Sequence, residues 1–417
     1  MPMLLLWLGA AISISEIFTG GMLAPLGLAR GLAAILTGHL IGAGFLAYAG
    51  YISFLRKANA MASVAESFGA GGGRIIALCN VVQLLGWTIV MVVQAGSAIT
   101  GIIPALPFSL GAFILALLVL IWALMFGSPA GQGIHSLIVA LLAILCVVLF
   151  AEAAGPGGPA GAPAGGGTGS GLPENPMSFM LAVELSIAMP VSWLPLVGDY
   201  SCRGEDPLTA ALMPFAGYFA GSVLMYALGL FISVQSGGDI FAFIAASPFR
   251  LTACAVVLLS TLTTAFLDLY SAVVSLGQLT GPGKAGKAGE GEGSGGRAKP
   301  WRSRERLSLL GAGLFTLIVS ALFPAERYSA FLTAFLTVIG MVFVPVYALF
   351  FIDFLFRRGK RGEVPAFPLR LLLIAAAGIA GYGIFTRYEL GIPSLLSMAL
   401  VWALYLINRY AGKDRLI

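Results

Sequence analysis

Ionisable side chains are scarce in this chain, and their scarcity argues against most soluble activities. Asp, Glu, Lys and Arg make up 10% of its 417 residues, whereas apolar residues make up 59%. The two histidines, His39 and His135, stand far apart and show no metal-ligand spacing. A membrane enzyme would need a catalytic cluster. The sequence offers none, so we predict that the protein is not an enzyme and has no cofactor.

Cysteines are few and unpaired. The four of them, Cys79, Cys146, Cys202 and Cys254, occur singly in or beside apolar stretches. Metal and redox sites need paired spacing, which these residues lack. We therefore interpret the cysteines as small core residues.

Long apolar runs dominate the sequence, whose mean hydropathy is +0.97. A membrane-spanning helix needs about 20 apolar residues. Counting such stretches predicts an all-α membrane protein with twelve transmembrane helices. They lie at about 4–28, 31–55, 75–101, 108–126, 132–152, 178–200, 208–234, 250–277, 307–323, 328–353, 369–386 and 391–409. The first begins almost at Met1 and is too long for a signal-peptide core, so we expect it to be retained.

Basic residues predict the orientation. With both termini cytoplasmic, nineteen of the 23 Lys and Arg residues fall on the inner side, as the positive-inside rule requires. We therefore expect a multi-pass protein of the cell inner (cytoplasmic) membrane. The net charge of +5 is explained by this topology and by contact with anionic lipid. Nothing in the sequence indicates nucleic-acid binding or an obligate protein partner.

Two spans carry helix-breaking residues. The sixth contains Pro190 and Pro195, and the first contains Gly20, Gly21 and Pro25. Irregular backbone at membrane depth persists only where protein or a watery cavity satisfies it. Matching breaks in two halves of a chain indicate an inverted repeat around a midplane substrate and ion site. The sequence therefore predicts a transporter with broken helices 1 and 6.

Glycine-rich segments divide the chain. One follows the fifth span and another follows the eighth, and both resemble flexible linkers. We predict a first repeat of five helices at 1–152, an outer loop at 153–177 and a second repeat at 178–353. The second repeat includes a basic inner loop at 281–306. Two further helices and a short cytoplasmic tail occupy 354–417.

Charged residues at membrane depth are costly and are therefore functional candidates. Glu16, at the break of span one, and Asp268, inside span eight, lie near mid-span. Glu184, near the outer mouth, can instead cap freed amides. Asp199, at the inner end of span six, suggests a helix-terminal or gating ion pair with Arg203 and not a direct ligand role. For His39, flanked by small residues, we favour an interhelical hydrogen bond over a proton relay.

Hydroxyl and aromatic side chains add to these candidates. Ser260, Thr263 and Thr264 share one face of span eight and could hold a hard cation together with carbonyls of span one. Such residues also commonly bond their own backbone. Trp87 lies deep in span three, where it could stack a planar ring, with Gln83 one turn away. Core packing explains Trp87 equally well.

Several segments resemble the nucleobase cation symporter-1 family, and most closely its CytX-type branch of hydroxymethylpyrimidine permeases. The most specific pieces are SWLPLVGDYS in span six and STLTTAFLDLYSA in span eight. The resemblance covers nearly all twelve spans except the glycine-rich linkers. It implies a LeuT-type five-plus-five inverted repeat and sodium- or proton-coupled uptake of nucleobases or related heterocycles.

The resemblance also implies roles for individual residues. Trp87 matches the tryptophan that stacks on the substrate ring, and Asp268 falls at or beside a substrate-binding asparagine. Ser13 stands in place of a substrate-contacting glutamine, and Met189 with Pro190 replaces an unwound glycine-tryptophan pair. The positions that match the sodium ligands are Gly9, Ile12, Ser260, Thr263 and Thr264.

One departure from the family pattern bears on the substrate. Family members that take hydantoins and nucleobases have a glutamine one turn after the stacking tryptophan, and this chain has Met91. A carboxyl of Glu16 or Asp268 could read an amino-amidine edge. Met91 and Met189 would contact methyl and hydroxymethyl groups. These features favour hydroxymethylpyrimidine, the thiamine precursor.

Three alternatives remain open at this point. A permease for cytosine or another nucleobase would belong to the same class. A passive channel would need a continuous polar pore, which twelve dissimilar spans do not suggest. A membrane enzyme would need the catalytic cluster that the sequence lacks.

Overall fold

The computed structural model is built of α-helices and describes residues 3–126, 129–154, 177–236, 240, 250–280, 303–324, 327–357 and 366–411. The helices are α1 (Met3–Ala11), α2 (Ile14–Gly21), α3 (Gly27–Arg56), α4 (Ala60–Ile102), α5 (Phe108–Phe126), α6 (Pro129–Ala154), α7 (Phe179–Ser192), α8 (Leu194–Ser201), α9 (Pro207–Ser236), α10 (Arg250–Thr280), α11 (Ser303–Leu322), α12 (Tyr328–Phe356), α13 (Leu369–Arg387) and α14 (Pro393–Ala411). Most of the loops predicted at 153–177 and 281–306, and the end of the tail, lie outside the described residues.

Each predicted span corresponds to one helix or to one broken pair. By length and hydropathy, nine helical stretches of the described residues could cross a membrane. One of these, Ile14–Arg56, joins the second half of span one to span two. The short helix α1 completes span one, and α6 and α14 occupy the fifth and twelfth predicted spans. The prediction of broken first and sixth spans is confirmed.

The first break lies at Ile12 and Ser13, earlier than the glycines that predicted it. Ser13 has an extended backbone and caps α2, because its hydroxyl accepts a hydrogen bond from the Glu16 amide at 3.3 Å. Glu16 therefore lies in the first turn of α2 and not at the break itself. Gly20 and Gly21 end α2 instead. A Cβ on Gly20 would clash with the backbone of Tyr226, so this glycine permits close packing of α2 on α9.

The second break lies at Trp193, between the two prolines. Pro190 falls inside α7, and Pro195 falls in the first turn of α8, where a missing amide is tolerated. Side chains from other helices satisfy carbonyls near the break. Gln83 donates to the Ser192 carbonyl at 2.8 Å, and Tyr347 donates to that of Leu194 at 2.9 Å. This is the protein-supported irregular backbone that membrane depth requires.

Helix α4 is longer than the third predicted span and bends at Gly69. The φ angle of Gly69 is 69°, which divides a short leading segment from the long membrane part. The amides of Gly71 and Gly72 donate to the Ala366 carbonyl at 2.8 and 3.3 Å. At the start of α4, the Asp199 carboxylate accepts a hydrogen bond from the Ala60 amide at 3.1 Å. Asp199 therefore caps the start of another helix, and its ion pair with Arg203 stays a prediction.

The helices pack around the two breaks. Helices α1 and α2 lie on α9, α3 lies between α7 and α9, and α10 packs along α4. The main core joins apolar side chains of these elements with those of α12 and α14. The two broken spans are therefore enclosed by the bundle, and their freed backbone groups face protein.

Candidate functional site

A small cavity lies where the two breaks meet α4. It contains about 210 Å³ of empty space. The residues that line it come from α1 and α2, from α4 and from the α7–α8 break, and they are Ala10, Ser13, Ser15, Glu16, Trp87, Met91, Met189 and Trp193. Five of the eight residues predicted to bind substrate, Ser13, Glu16, Trp87, Met91 and Met189, are among them.

Trp87 borders this cavity from α4. Its side chain is buried, and its ring meets Phe335 edge to face with centroids 5.3 Å apart. Within the described structure its indole Nε1 has no hydrogen-bond partner. A buried indole N–H normally finds an acceptor. Trp87 therefore offers both an aromatic surface and an unused donor at the cavity.

Glu16 is the carboxyl at the cavity, and helix α9 holds it. The Tyr218 hydroxyl donates to Oε1 at 2.5 Å, and the Ser222 hydroxyl and Oε2 share a hydrogen bond of 2.6 Å. The side chain is buried. Both contacts bridge α2 to α9, so the position of the carboxyl is fixed from two sides. The free lone pairs of Glu16 are the strongest acceptors available on the cavity wall.

Three predicted substrate-binding residues lie outside the cavity lining. Asp268 is buried in α10, and its Oδ2 lacks a hydrogen-bond partner among the described residues. The Gln83 side-chain amide donates to the Ser192 carbonyl and so stabilises the break between α7 and α8. Pro190 packs toward Gly42 of α3. Of the two carboxyls predicted to read the substrate, only Glu16 borders the cavity.

The residues predicted to bind sodium lie where α1 meets α10. The Ser13 amide donates to the Ala11 carbonyl, which leaves the Gly9 carbonyl without its helical donor. The Thr264 hydroxyl points to that carbonyl oxygen at 3.5 Å. Ser260 and Thr263 bond their own helix, to Val257 and Leu259. Ile12 and all three hydroxyl residues are buried.

The groups described at this α1–α10 junction that could bind an ion carry hydroxyl and carbonyl oxygens, which fits a hard cation. Transition metals would need another kind of site. Across the described ranges, no group of three His, Cys, Asp or Glu residues could hold a metal ion. The oxygen atoms of the junction are thus the kind that a hard cation prefers.

Other buried polar groups are satisfied by protein contacts. His39 approaches the Ser222 hydroxyl through Nε2 at 2.5 Å, which confirms the predicted interhelical hydrogen bond. Glu184 accepts hydrogen bonds from the Ser394 amide at 3.0 Å and from Tyr382 at 2.7 Å. Its predicted role as a cap for amides is confirmed at Ser394.

Sequence reasoning missed several residues of the site. Trp193 lines the cavity and stands between the two prolines of span six, a position that could have identified it. Ser15 also lines the cavity and donates to Gln94. Tyr218 holds Glu16 from α9, some 202 positions further along the chain. No local pattern marks Tyr218, because its role depends on how α9 crosses α2.

Apolar spans, two of them broken and enclosing a cavity with hydroxyl and carbonyl oxygens beside it, define a secondary transporter. The sequence profile described as permease for cytosine/purines, uracil, thiamine, allantoin matches residues 1–281. The chain belongs to this permease family. It is a transporter and not an enzyme, as predicted, and the resemblance to nucleobase cation symporters is confirmed. No curated protein matches the chain in sequence.

Solved structures show the same fold. Mhp1, a nucleobase-cation-symport-1 family transporter, in a closed conformation with bromovinylhydantoin bound, has a TM-score of 0.71 and 14% identity over 99% of this chain and 92% of its own. Its inward-facing conformation gives 0.73 and 15% over 99% and 90%. A Na⁺-coupled sialic acid symporter gives 0.63 and 12% over 97% and 89%. The predicted LeuT-type fold is confirmed.

Proposed function

We propose that this protein imports a small planar heterocycle together with a cation by alternating access, and that the heterocycle is hydroxymethylpyrimidine. The observation that carries the proposal is the cavity shared by Trp87 and Glu16 at the two helix breaks. An aromatic surface and a fixed carboxyl at one small cavity suit a flat ring that bears hydrogen-bond donors. This proposal places the chain in the CytX-type branch of its family.

The cavity wall supports an aminopyrimidine. Glu16 accepts a hydrogen bond from the exocyclic amino group, and charge-assisted bonds of this kind are the stronger ones. Trp87 stacks on the ring, and Trp193 faces the cavity from the other broken span. Met91 and Met189 contact the methyl and hydroxymethyl substituents with adaptable thioether chains. Ser13 adds a hydroxyl at the same wall.

Three residues predicted to bind substrate lie outside the cavity lining, and Glu16 alone reads the ring in this scheme. Gln83 donates to the Ser192 carbonyl and so holds the second break, and Pro190 packs against α3 near Gly42. Asp268 stays buried in α10.

The coupling ion in this proposal is sodium, held by the carbonyls of Gly9 and Ile12 and the oxygens of Ser260, Thr263 and Thr264. The freed Gly9 carbonyl beside Thr264 supports this assignment, because it is an oxygen without its usual helical donor. Because the Gly9 carbonyl lies at the break of span one, an ion bound to it would depend on that break. A proton is the alternative ion. Both termini face the cytoplasm of an inner-membrane protein, as the distribution of Lys and Arg suggests.

Cytosine is the second candidate substrate. It carries an exocyclic amino group next to a ring nitrogen, so the Glu16 carboxyl could accept from it in the same way. Cytosine also appears in the description of the family to which the chain belongs. It lacks the substituents that would contact Met91 and Met189.

Uptake into proteoliposomes tests the proposal. Labelled hydroxymethylpyrimidine should accumulate when a sodium gradient is imposed, and excess unlabelled compound should compete better than cytosine, uracil or purines. Trp87→Ala should abolish accumulation. Trp402→Ala is the matched control, because that indole donates to the Ala348 carbonyl away from the cavity. Equal uptake with and without the sodium gradient, and equal uptake by wild type and Trp87→Ala, would refute the scheme.

A further inference from the structure

A chain of hydrogen bonds connects the cavity to a buried histidine. Glu16 Oε2 lies 2.6 Å from the Ser222 hydroxyl, which lies 2.5 Å from His39 Nε2. His39 Nδ1 lies 2.9 Å from the Ile35 carbonyl oxygen. Glu16, Ser222 and His39 are each buried. The three groups come from α2, α9 and α3, so the chain crosses three helices in a row.

The number of hydrogens in this chain is limited. A carbonyl oxygen only accepts, so His39 Nδ1 carries a hydrogen. Ser222 has one hydroxyl hydrogen and cannot donate both to Glu16 and to His39. Both bonds can form only if one more proton is present, on Glu16 Oε2 or on His39 Nε2. Whether that proton lies on Glu16 or on His39, the net charge of Glu16, Ser222 and His39 taken together is zero.

The two arrangements interconvert by a balanced transfer. In one, the Glu16 O–H donates to Ser222, and Ser222 donates to a neutral imidazole. In the other, His39 Nε2–H donates to Ser222, and Ser222 donates to the Glu16 carboxylate. Passing between them breaks the Glu16 O–H bond and forms the His39 N–H bond. Ser222 gives up one hydrogen and gains another, and no proton enters or leaves.

We propose that Glu16, Ser222 and His39 form an internal proton relay that ionises Glu16 when a ring with N–H donors enters the cavity. With the cavity empty the proton lies on Glu16, because separated charges are costly to bury. A donor edge in the cavity stabilises the carboxylate, and the proton passes to His39. The substrate part of this inference rests on the proposed function, whereas the shared proton does not.

The surroundings of the relay isolate it. Tyr218 accepts a hydrogen bond from the Trp193 indole and gives its own hydrogen to Glu16 Oε1, so it keeps a fixed direction. Tyr226 packs edge-on to the His39 ring at 4.5 Å and donates to the Leu185 carbonyl. These two phenols are the titratable groups of α9 that face the relay. The carboxyl of α7, Glu184, is held by Tyr382 and Ser394.

Ligand-free protein tests the shared proton directly. Infrared spectra of wild type minus Glu16→Gln should show the carbonyl band of a protonated carboxyl at neutral pH. Nitrogen NMR of labelled histidine should show His39 neutral with its hydrogen on Nδ1. Glu184→Gln is the control, since the Glu16 band should persist in it. A spectrum with neither a protonated Glu16 nor a doubly protonated His39 would overturn the relay.

Ligand-induced infrared changes test the transfer. Saturating hydroxymethylpyrimidine or cytosine should remove the Glu16 band and create a doubly protonated His39 in wild type. Ser222→Ala lacks the connecting hydroxyl, so it should show neither change and bind about tenfold more weakly. Ser186→Ala is the matched control, because among the described residues that buried serine donates to the Ala182 carbonyl of its own helix. Ligand binding with no change in either signal would overturn the relay.

Calorimetry in buffers of different ionisation enthalpy gives a proton count. Wild type should release no proton on binding, since the transfer is internal. His39→Gln removes the acceptor, so about one proton per ligand should pass to the buffer. Release of a proton by wild type would contradict the relay. Failure of both heterocycles to bind, with the ligand-free Glu16 band intact, would refute the proposed substrate class and leave the shared proton standing.

Discussion

Thr264 of α10 contacts the Gly9 carbonyl of α1 at 3.5 Å, and this contact joins the break of the first span to the eighth. The Gly9 carbonyl lacks a donor from its own helix, because the Ser13 amide bonds the Ala11 carbonyl instead. A cation bound here would therefore hold the end of α1 against α10. In the proposed sodium site, ion occupancy would therefore depend on the geometry of the broken span at this carbonyl.

Thr264→Val should weaken sodium dependence with little effect on folding. Valine keeps the shape and removes the hydroxyl oxygen, so the sodium concentration for half-maximal uptake should rise about tenfold, equivalent to about 1.4 kcal/mol. Thr37→Val is the control, since Thr37 is exposed and bonds only the Ala33 carbonyl of its own helix. An unchanged sodium curve for Thr264→Val would count against this cation site.

Met91→Gln should change the substrate preference. It introduces the amide that the resemblance to nucleobase cation symporters leads us to expect at this position. An amide at the cavity wall must be bonded or it costs free energy. Competition for transport should therefore shift from hydroxymethylpyrimidine toward cytosine or uracil by about tenfold. If the ranking of competitors stays the same, Met91 does not select the substrate.

Gly229→Ala should destabilise the bundle. A Cβ on Gly229 would overlap the Ile17 carbonyl of α2, and forcing extra atoms into a packed core costs about 1–3 kcal/mol. The thermal midpoint in detergent should fall accordingly. Gly311→Ala is the comparison, since an added Cβ there meets no described atom within 4 Å. Equal midpoints for the two variants would contradict the close approach of α2 and α9.

Acid should destabilise the start of α9 through Asp206, which lies outside the membrane spans. The Thr209 hydroxyl and amide donate to its carboxylate and hold its pKa below the usual value. The stabilisation is complete above the unfolded pKa of about 3.9 and is lost as pH falls through the lower native value. Asp206→Asn keeps the cap without the charge. The midpoint difference between wild type and Asp206→Asn should therefore shrink below about pH 4, and a constant difference would contradict this.

Much of the architecture could be predicted from residue type alone. Apolar run length indicates the spans, and proline identifies the sixth as broken. The exact breaks could not be predicted, because Ser13 caps α2 through an extended backbone conformation that the sequence does not show. Gly20 and Gly21 led to the correct prediction that span one is broken, but they do not form the break. In the structure, Gly20 is needed because α2 packs closely against Tyr226.

The candidate site could be predicted only in part. Trp87 and Glu16 were recognisable as unusual residues at membrane depth. The sequence could not show whether Glu16 or Asp268 borders the cavity, because that depends on how each helix is oriented in the folded bundle. The contacts of Glu16 to Tyr218 and Ser222 span more than 200 positions and follow from tertiary packing.

The cap that Asp199 places on Ala60 has a mechanical consequence. Gly69 separates the leading segment of α4 from its long membrane part, and that segment is held at both of its ends. Asp199 of α8 bonds the Ala60 amide at its start, and the Ser67 hydroxyl near its end donates to the Asp353 carboxylate of α12 at 2.7 Å. The leading segment thus ties the second broken span to α12, and the turn at Gly69 lets it do so without sharing the direction of the helix that carries Trp87.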